Sequence, residues 1–208
     1  MKIAVIAANG RSGQKVVHEA LAAGHEVTAI VRGENRSEAS DAIIRDIMDI
    51  TAEDLAGFDA VVDAFGTVQP ELLDMHLTSV EHLADILSGT DTHFYVIGGA
   101  GSLLVDDHGT KLLDTPDFPD ASKPISTAQS KQLDYLRTRD DFVWTFISPA
   151  AIYDADGERT GKYTIVAGDA YTEDENGQSR ISYADMGVAI VALLEDGGYV
   201  RERVNIRY

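Results

Sequence analysis

The sequence predicts an α/β fold in which parallel strands form one sheet with helices on both faces. Short runs of apolar, often β-branched residues alternate with segments in which apolar residues recur at helical spacing. This alternation is typical of a doubly wound parallel sheet. The chain has 208 residues, which suffices for one such domain and leaves little room for a second. We therefore expect residues 1–208 to form a single domain.

The first strand–helix–strand unit is the clearest part of the pattern. Lys2–Ile6 reads as a buried strand, a turn from Ala7 to Gly13 follows, and a helical pattern then continues as far as Gly24. Glu26–Val31 is the second strand. A strand, a glycine-rich turn, a helix and a second strand in this order are typical of a dinucleotide-binding unit, in which helix N–H groups face a pyrophosphate.

The turn itself supplies the candidate phosphate-binding residues, which are Ala7, Asn9, Gly10, Arg11, Ser12 and Gly13. Gly10 lets the backbone approach the pyrophosphate, and Gly13 lets the helix pack closely on the strand. Ala7 stands where the first glycine of the usual spacing is found. Because alanine is the smallest replacement, we expect a slightly different turn and a retained site. A sharp turn without a ligand is the alternative.

The end of the second strand bears on which dinucleotide is bound. An NAD site places Asp or Glu there to bind the ribose 2′-hydroxyl, whereas this chain has Val31-Arg32. A guanidinium can bind a 2′-phosphate through two parallel hydrogen bonds, and an acidic residue would repel it. Arg32, together with Arg11 in the turn, therefore favours NADP, with NAD as the alternative. Arg36 fits a solvated surface residue better.

The remaining elements continue the alternation of strands and helices. Strands are predicted at 42–44, 60–65, 94–97, 142–147, near 163–166 and at 204–206. Helices are predicted from near Pro70 to Leu87, over 127–138, and from a cap at Ser182 and Asp185 to Leu194, with Gly197-Gly198 as a stop signal. Irregular stretches at about 101–126 and 151–181 are expected to be cap-like insertions.

Ligands of such sheets bind beyond the carboxyl ends of the strands, near the point where the strand order reverses. Besides the turn, the residues predicted to bind the cofactor there are Arg32, Asp46, Ile47, Ala64, Phe65, Gly66, Gly98, Gly99, Pro149 and Ala150. Asp46 could accept a hydrogen bond from an adenine amino group or cap its own loop. Phe65 and Gly66 are expected on the adenosine side.

Composition argues against several kinds of partner and site. The chain has 17 Lys or Arg against 35 Asp or Glu, a formal net charge of −18, which disfavours nucleic acid and anionic membranes. It has no cysteine, so disulfides, thiolate metal sites and a cysteine nucleophile are excluded and no metal is expected. No apolar run approaches the length of a membrane span, and a strand begins the chain, so we expect a cytoplasmic protein without a signal peptide.

Several segments carry a resemblance to one family over nearly the whole chain. These are residues 8–13, Val31-Arg32, and residues 98–103, 114–119, 144–151 and 157–163. On them the chain resembles the small atypical short-chain dehydrogenase/reductases grouped with NADH-flavin reductases, relatives of the NmrA-like and biliverdin reductase B proteins. The resemblance implies a Rossmann domain with a small C-terminal substrate cap. It also implies NAD(P)H-dependent reduction of flavin or a similar conjugated acceptor, with flavin as a substrate.

One absence narrows the chemistry that the resemblance implies. Members of the wider superfamily that oxidise alcohols use a Tyr with a Lys four residues later, which lowers the tyrosine pKa. No tyrosine here has that partner, and Thr127 and Lys131 have the spacing without the phenol. Alcohol–ketone chemistry and nucleotide-sugar epimerisation are therefore disfavoured. A flavin acceptor removes the need for the pair, because its proton can come from solvent.

Ser102 and Tyr153 are the candidate catalytic residues. Ser102 would hydrogen-bond the nicotinamide carboxamide or a small-molecule acceptor, and Tyr153 would stack on that acceptor. A structural role is the alternative for each. The alternative function is a non-catalytic NAD(P)-binding redox sensor that regulates a protein partner. The sequence does not indicate an oligomeric state.

Overall fold

Ten strands and five helices alternate along the chain, and the computed structural model describes all residues, 1–208. The strands are β1 (Lys2–Ile6), β2 (Glu26–Val31), β3 (Asp41–Ile44), β4 (Ala60–Asp63), β5 (His93–Ile97), β6 (Trp144–Pro149), β7 (Ile152–Asp154), β8 (Thr164–Ala167), β9 (Arg180–Ser182) and β10 (Glu202–Arg207). The helices are α1 (Arg11–Ala22), α2 (Ala52–Leu55), α3 (Met75–Leu87), α4 (Lys123–Leu136) and α5 (Tyr183–Asp196).

The central sheet confirms the predicted doubly wound fold. Its eight strands have the order β3-β2-β1-β4-β5-β6-β10-β8, and every pair is parallel except β8 with β10. The chain proceeds outward from β1 to β3 and then crosses back to β4, which pairs with β1 through Ile6 and Asp63. The strand order therefore reverses between β1 and β4, and ligands of such sheets bind at their carboxyl ends.

Two apolar layers hold the helices on the two faces of the sheet. Ile3 and Val5 of β1 pack on the side of α1 and α5, whereas Ala4 and Ile6 pack on the side of α3 and α4. Successive side chains of a strand point to opposite faces. A strand covered on both faces therefore has an unbroken apolar run, which is the pattern that identified β1 in the sequence.

Several predicted boundaries differ from the structure. Pro70–Leu72 forms a separate 3₁₀ turn, and α3 begins only at Met75. Helix α4 begins at Lys123, earlier than the predicted 127, because Pro124 is accommodated in the first helical turn, where an N–H has no helical partner. Consequently the irregular stretch after β5 ends before residue 123. The stretch 151–181 is also only partly a separate cap, since β8 joins the edge of the central sheet.

The signals predicted at the ends of α5 are present. The Ser182 hydroxyl accepts a hydrogen bond from the Asp185 amide at 2.9 Å, and Gly197 ends the helix with a left-handed φ of 64°. The Asp185 carboxylate is not part of this cap, because it accepts hydrogen bonds from Thr160 and Gly161 instead. None of the helices combines the length and apolar character needed to cross a membrane.

Candidate functional site

Two adjoining cavities open at the carboxyl ends of the strands. The first, of about 530 Å³, lies between the ends of β1, β2 and β4, and the second, of about 650 Å³, lies between the turn before α1, the segment after β5 and α4. Ala64, Phe65 and Gly66 line both. Each volume is in the range of small-molecule sites. A long ligand can therefore occupy the first cavity and reach into the second.

The predicted cofactor residues line these cavities with one exception. Those at the first cavity are Ala7, Asn9, Gly10, Arg32, Asp46, Ile47 and the shared Ala64, Phe65 and Gly66. Those at the second are Arg11, Ser12, Gly98, Gly99, Pro149 and Ala150. Gly13 is the exception, because it is buried beneath the turn. A Cβ at Gly13 would lie 2.5 Å from the Ala7 carbonyl oxygen, so it fulfils the packing role predicted for it.

The turn between the cavities offers free backbone donors. The amides of Arg11, Ser12 and Gly13 form the first positions of α1, and no hydrogen-bond acceptor faces them within the protein. Such donors, reinforced by the helix dipole, favour an anion. The residues present therefore fit the pyrophosphate of a dinucleotide.

Ala7 adopts the backbone conformation in which glycine is usual. Its φ is 56°, a left-handed value that costs a non-glycine residue roughly 1–2 kcal/mol. Its carbonyl oxygen accepts the Gly10 amide at 2.8 Å and closes the turn. The alanine thus adopts a conformation typical of glycine at the cost of local strain, and the turn is closed by a hydrogen bond.

The Asn9 side chain binds the loop after β2 and does not point at a ligand. Its Nδ2 donates to the Glu34 carbonyl oxygen at 2.9 Å, and its Oδ1 accepts from the Arg36 amide at 2.7 Å. Both polar atoms of the amide are therefore used within the protein. Asn9 positions the wall of the first cavity, on which Arg32 also lies.

Three arginines line the first cavity together with two acidic residues. Arg45 is paired with Asp54 at 3.2 Å, whereas the guanidinium groups of Arg32 and Arg36 have no side-chain partner. The acidic residues of the lining are Glu34 and Asp46, and Asp46 accepts the Met48 amide at 3.1 Å, so it caps its own loop. Free cationic charge thus remains at the end of β2. Arg11 lies elsewhere, in the lining of the second cavity, so the shared role predicted for Arg11 and Arg32 is divided between the two cavities.

Tyr153 lines the second cavity and is held on two sides. Its hydroxyl lies 2.9 Å from the Ser12 hydroxyl, and its ring stacks on Tyr183 with centroids 3.7 Å apart and planes 3° from parallel. Burial raises the pKa of Tyr153, an effect that the hydrogen bond to Ser12 only partly offsets. No lysine lines this cavity. The phenol therefore stays protonated, unlike the tyrosine of an alcohol dehydrogenase of the superfamily.

Ser102 lies outside both cavities. It is only 6% exposed, and its hydroxyl accepts a hydrogen bond from Nη2 of the buried Arg203 at 2.7 Å. The Ser102 carbonyl oxygen accepts from Nη1 of the same residue at 3.0 Å. This placement leaves the hydroxyl no path to a bound ring, so we assign Ser102 a structural role and omit it from the site.

Helix α4 contributes residues that the sequence did not single out. Thr127 and Lys131, which have the spacing of the missing catalytic pair, are exposed and line neither cavity. The residues of α4 that line the second cavity are Ile125, Ser126 and Gln129. The signal that could have found them is a run of polar residues at helical spacing on the buried face of α4, which also includes Ser130 and Gln132.

A doubly wound sheet with free helix amides between two cavities is the arrangement of a Rossmann-type dinucleotide-binding protein. Comparison with known proteins agrees. The chain belongs to the NAD(P)H-binding family, which it matches over residues 7–197.

Relatives of this chain span almost its entire length. It is 41% identical over 210 residues to YwnB of Bacillus subtilis strain 168, covering 99% of this chain and 98% of YwnB. It is 50% identical to a Streptococcus pneumoniae TIGR4 protein provisionally named an NADH-flavin reductase, with a TM-score of 0.96 and coverage of 100% and 99%. A Bacteroides thetaiotaomicron protein provisionally named an epimerase is 32% identical, with a TM-score of 0.86 and coverage of 100% and 96%. The family and the pneumococcal relative support an NAD(P)H oxidoreductase.

Proposed function

We propose that this protein is an NAD(P)H-dependent reductase of flavin or a related conjugated small molecule, with NADP preferred over NAD. The observation that carries the proposal is the second cavity. It adjoins the free amides of α1, half of its 24 lining residues are apolar, and it contains no tyrosine–lysine pair. Such a site can hold two flat rings together but has no group suited to deprotonate an alcohol.

The residues of the chain would bind and orient the reactants. The amides of Arg11, Ser12 and Gly13 hold the pyrophosphate, and Arg32 holds the 2′-phosphate at the end of the first cavity. When bound, the reduced nicotinamide supplies a hydride to the acceptor ring, which also takes one proton from water. Ala150 presents only a methyl group to the second cavity, whereas Phe146 and Gln129 occupy the spaces that side chains at Gly98 and Gly99 would need.

Epimerisation is the competing reaction that one relative's name suggests. It requires a group that removes and returns a proton at a carbon-bound hydroxyl. The phenol of Tyr153 lines the second cavity beside the Ser12 hydroxyl, and burial raises its pKa. A general base works best when its pKa lies near the operating pH. The raised pKa of Tyr153 therefore favours reduction of a conjugated acceptor.

NADP preference rests on the charge at the end of β2. Arg32 follows the last residue of that strand, where an NAD site would have an acidic residue. The unpaired guanidinium groups of Arg32 and Arg36 both line the first cavity. Glu34 and Asp46 also line this cavity, but neither forms an ion pair with Arg32 or Arg36, so both guanidinium groups are available to a phosphate.

The test is the absorbance at 340 nm of NADPH, and separately of NADH, mixed with the purified protein and riboflavin, FMN or FAD. The proposal expects loss of absorbance well above a protein-free control, and faster with NADPH. The proposal would be contradicted if NADP raised the melting temperature of the protein, which shows binding, but the protein did not oxidise NADPH when any flavin, quinone or biliverdin was supplied. That result would support the redox sensor instead.

A further inference from the structure

Two polar side chains of α4 line the second cavity without a partner. The Ser126 hydroxyl and the Gln129 amide form no hydrogen bond with any protein atom, although both residues line this cavity. Their neighbours on the helix are engaged. The Ser130 hydroxyl accepts from Lys111 at 2.9 Å, and the Gln132 amide donates to the His76 carbonyl oxygen at 2.8 Å. The cavity-facing pair is thus left available for a ligand.

The glycines after β5 make room for this pair. A Cβ at Gly99 would lie 2.1 Å from Oε1 of Gln129, and a Cβ at Gly101 would lie 2.5 Å from Cβ of Ser126 and 2.8 Å from its hydroxyl. Side chains at these positions would displace both polar groups from the cavity wall. Neither glycine has a left-handed φ, so the backbone conformation does not require glycine at these positions. The absence of a side chain is instead needed to accommodate Gln129 and Ser126.

The chemistry of the cavity limits what these groups can bind. An amide offers a donor and an acceptor side by side, and a hydroxyl can act as either. Arg11 is the single ionisable lining residue apart from two tyrosines, and no carboxylate lines the cavity. Apolar side chains, including Phe65 and Ile125, form much of the remaining wall. The site therefore suits a flat uncharged ring with adjoining carbonyl and N–H groups.

We infer that Ser126 and Gln129 bind the polar edge of the acceptor ring and make the site selective for rings that carry an imide, as the flavin ring system does. This inference rests on the proposed function, since it concerns the acceptor of that reaction. It predicts that a phosphate on the acceptor is not required, because Arg11 is the only cation of the lining and adjoins the pyrophosphate turn. Selectivity arises because a ring without the imide N–H leaves the cavity's polar groups unpaired.

The sharpest test pairs a change in the protein with a matched change in the acceptor. Riboflavin has an imide N–H, and 3-methylriboflavin has a methyl group in its place. We expect wild type to use riboflavin with a kcat/KM about tenfold higher than 3-methylriboflavin, the value of one hydrogen bond in a buried site. Gln129→Met keeps the length of the side chain and removes its hydrogen bonds. It is expected to lower kcat/KM for riboflavin to about that of 3-methylriboflavin, with little effect on the methylated ring.

Further variants separate hydrogen bonding from general damage. Ser126→Ala is expected to lower kcat/KM for riboflavin several-fold. Thr127→Ala, at an exposed position of the same helix, is expected to leave kcat/KM unchanged for both riboflavin and 3-methylriboflavin. Equal losses for the two flavins in Gln129→Met, or no loss for either, would overturn the inference.

A binding measurement distinguishes failure of this inference from failure of the proposed function. If none of the flavins serves wild type as an acceptor for NADPH oxidation, the proposed function fails. Quenching of riboflavin fluorescence in the presence of NADP⁺ then decides the inference. Binding weakened about tenfold by Gln129→Met would sustain it as a ring-binding site. Unchanged binding in the variant, or no binding by wild type, would overturn it.

Discussion

The hydroxyl oxygens of Ser12 and Tyr153 lie 2.9 Å apart and join the beginning of α1 to the segment after β6. Tyr153 is the middle residue of β7, and its ring also stacks on Tyr183 at the beginning of α5. One phenol thus links the beginning of α1 to β7 and α5, which are distant from it in sequence. The Tyr153 hydroxyl is therefore held by Ser12 in the wall of the second cavity.

Tyr153→Phe is expected to leave kcat with riboflavin within about threefold of wild type, because the ring and its stacking remain and no proton is transferred. A general acid at this position would contribute about 10²-fold or more. The measurement is steady-state oxidation of NADPH at 340 nm with saturating substrates. Ser12→Ala removes the same hydrogen bond from the other side and serves as the control. A loss of 10²-fold in Tyr153→Phe with an active Ser12→Ala protein would show that the phenol acts in catalysis.

Arg32→Gln is expected to raise the KM for NADPH about tenfold or more and to change the KM for NADH less than about twofold. The reason is that a guanidinium–phosphate contact contributes about 1.5–3 kcal/mol, and only NADPH has the 2′-phosphate. Steady-state kinetics with each nucleotide would measure this. Arg11→Gln is a matched control, because Arg11 lines the second cavity and is expected to affect both nucleotides alike. An equal increase in the KM for NADPH and the KM for NADH in Arg32→Gln would refute the NADP assignment.

Ala7→Gly is expected to stabilise the protein. Glycine relieves the left-handed strain of roughly 1–2 kcal/mol at φ 56°, and it loses somewhat less than that in backbone entropy. The net effect is a rise of about 2 °C in melting temperature for a chain of this size. Ala22→Gly, in the last turn of α1, makes the same chemical change at an ordinary helical position and should lower the melting temperature. A decrease in melting temperature for both variants would mean that the turn is unstrained.

Asp63 makes stability depend on pH. Burial raises the pKa of its carboxyl from 3.8 to about 7, against the opposing hydrogen bond from the Phe65 amide. Between these values the folded protein keeps a proton that the unfolded chain has released. The free energy of unfolding contributed by Asp63 therefore falls as the pH rises toward 7 and stays low above it.

Asp63→Asn removes this titration. The free energy of unfolding of the variant is therefore expected to increase relative to that of wild type as the pH rises. Urea unfolding at pH 5.5 and at pH 8 should show that the difference in unfolding free energy grows by about 2 kcal/mol. Burial lowers the pKa of His93 to about 4. The contribution of His93 to the free energy of unfolding therefore rises with pH, opposite to that of Asp63, over an overlapping pH range. Comparison of the two proteins at each pH cancels the His93 contribution. A difference that is constant with pH would show that Asp63 is ionised in the folded protein.

The sheet and the glycine-containing turn before α1 were predictable because their signals are local. A buried strand of a parallel sheet must be apolar on both faces, as Lys2–Ile6 nearly is, and a helix packed against its end requires a glycine at Gly13. The start of α3 was less predictable. Proline is equally suited to the first position of a 3₁₀ turn, which is what Pro70 begins.

Assignments that depend on contacts between distant residues could not be made from the sequence. Ser102 lies in a glycine-rich segment after a strand, which is typical of a ligand-binding position. Its hydroxyl is instead engaged by Arg203, 101 residues later in the chain. Likewise Arg11 and Arg32 both flank the first unit, yet they line different cavities.

The sequence by itself determined the class of fold, the glycine-containing turn before α1 and the absence of a tyrosine–lysine pair, because each depends on residue type and spacing along one segment. Only the tertiary structure decided which polar groups remain free for a ligand. A hydroxyl or amide is available when no other part of the chain satisfies it. Ser126 and Gln129 meet that condition, while Ser102 and Asn9 do not.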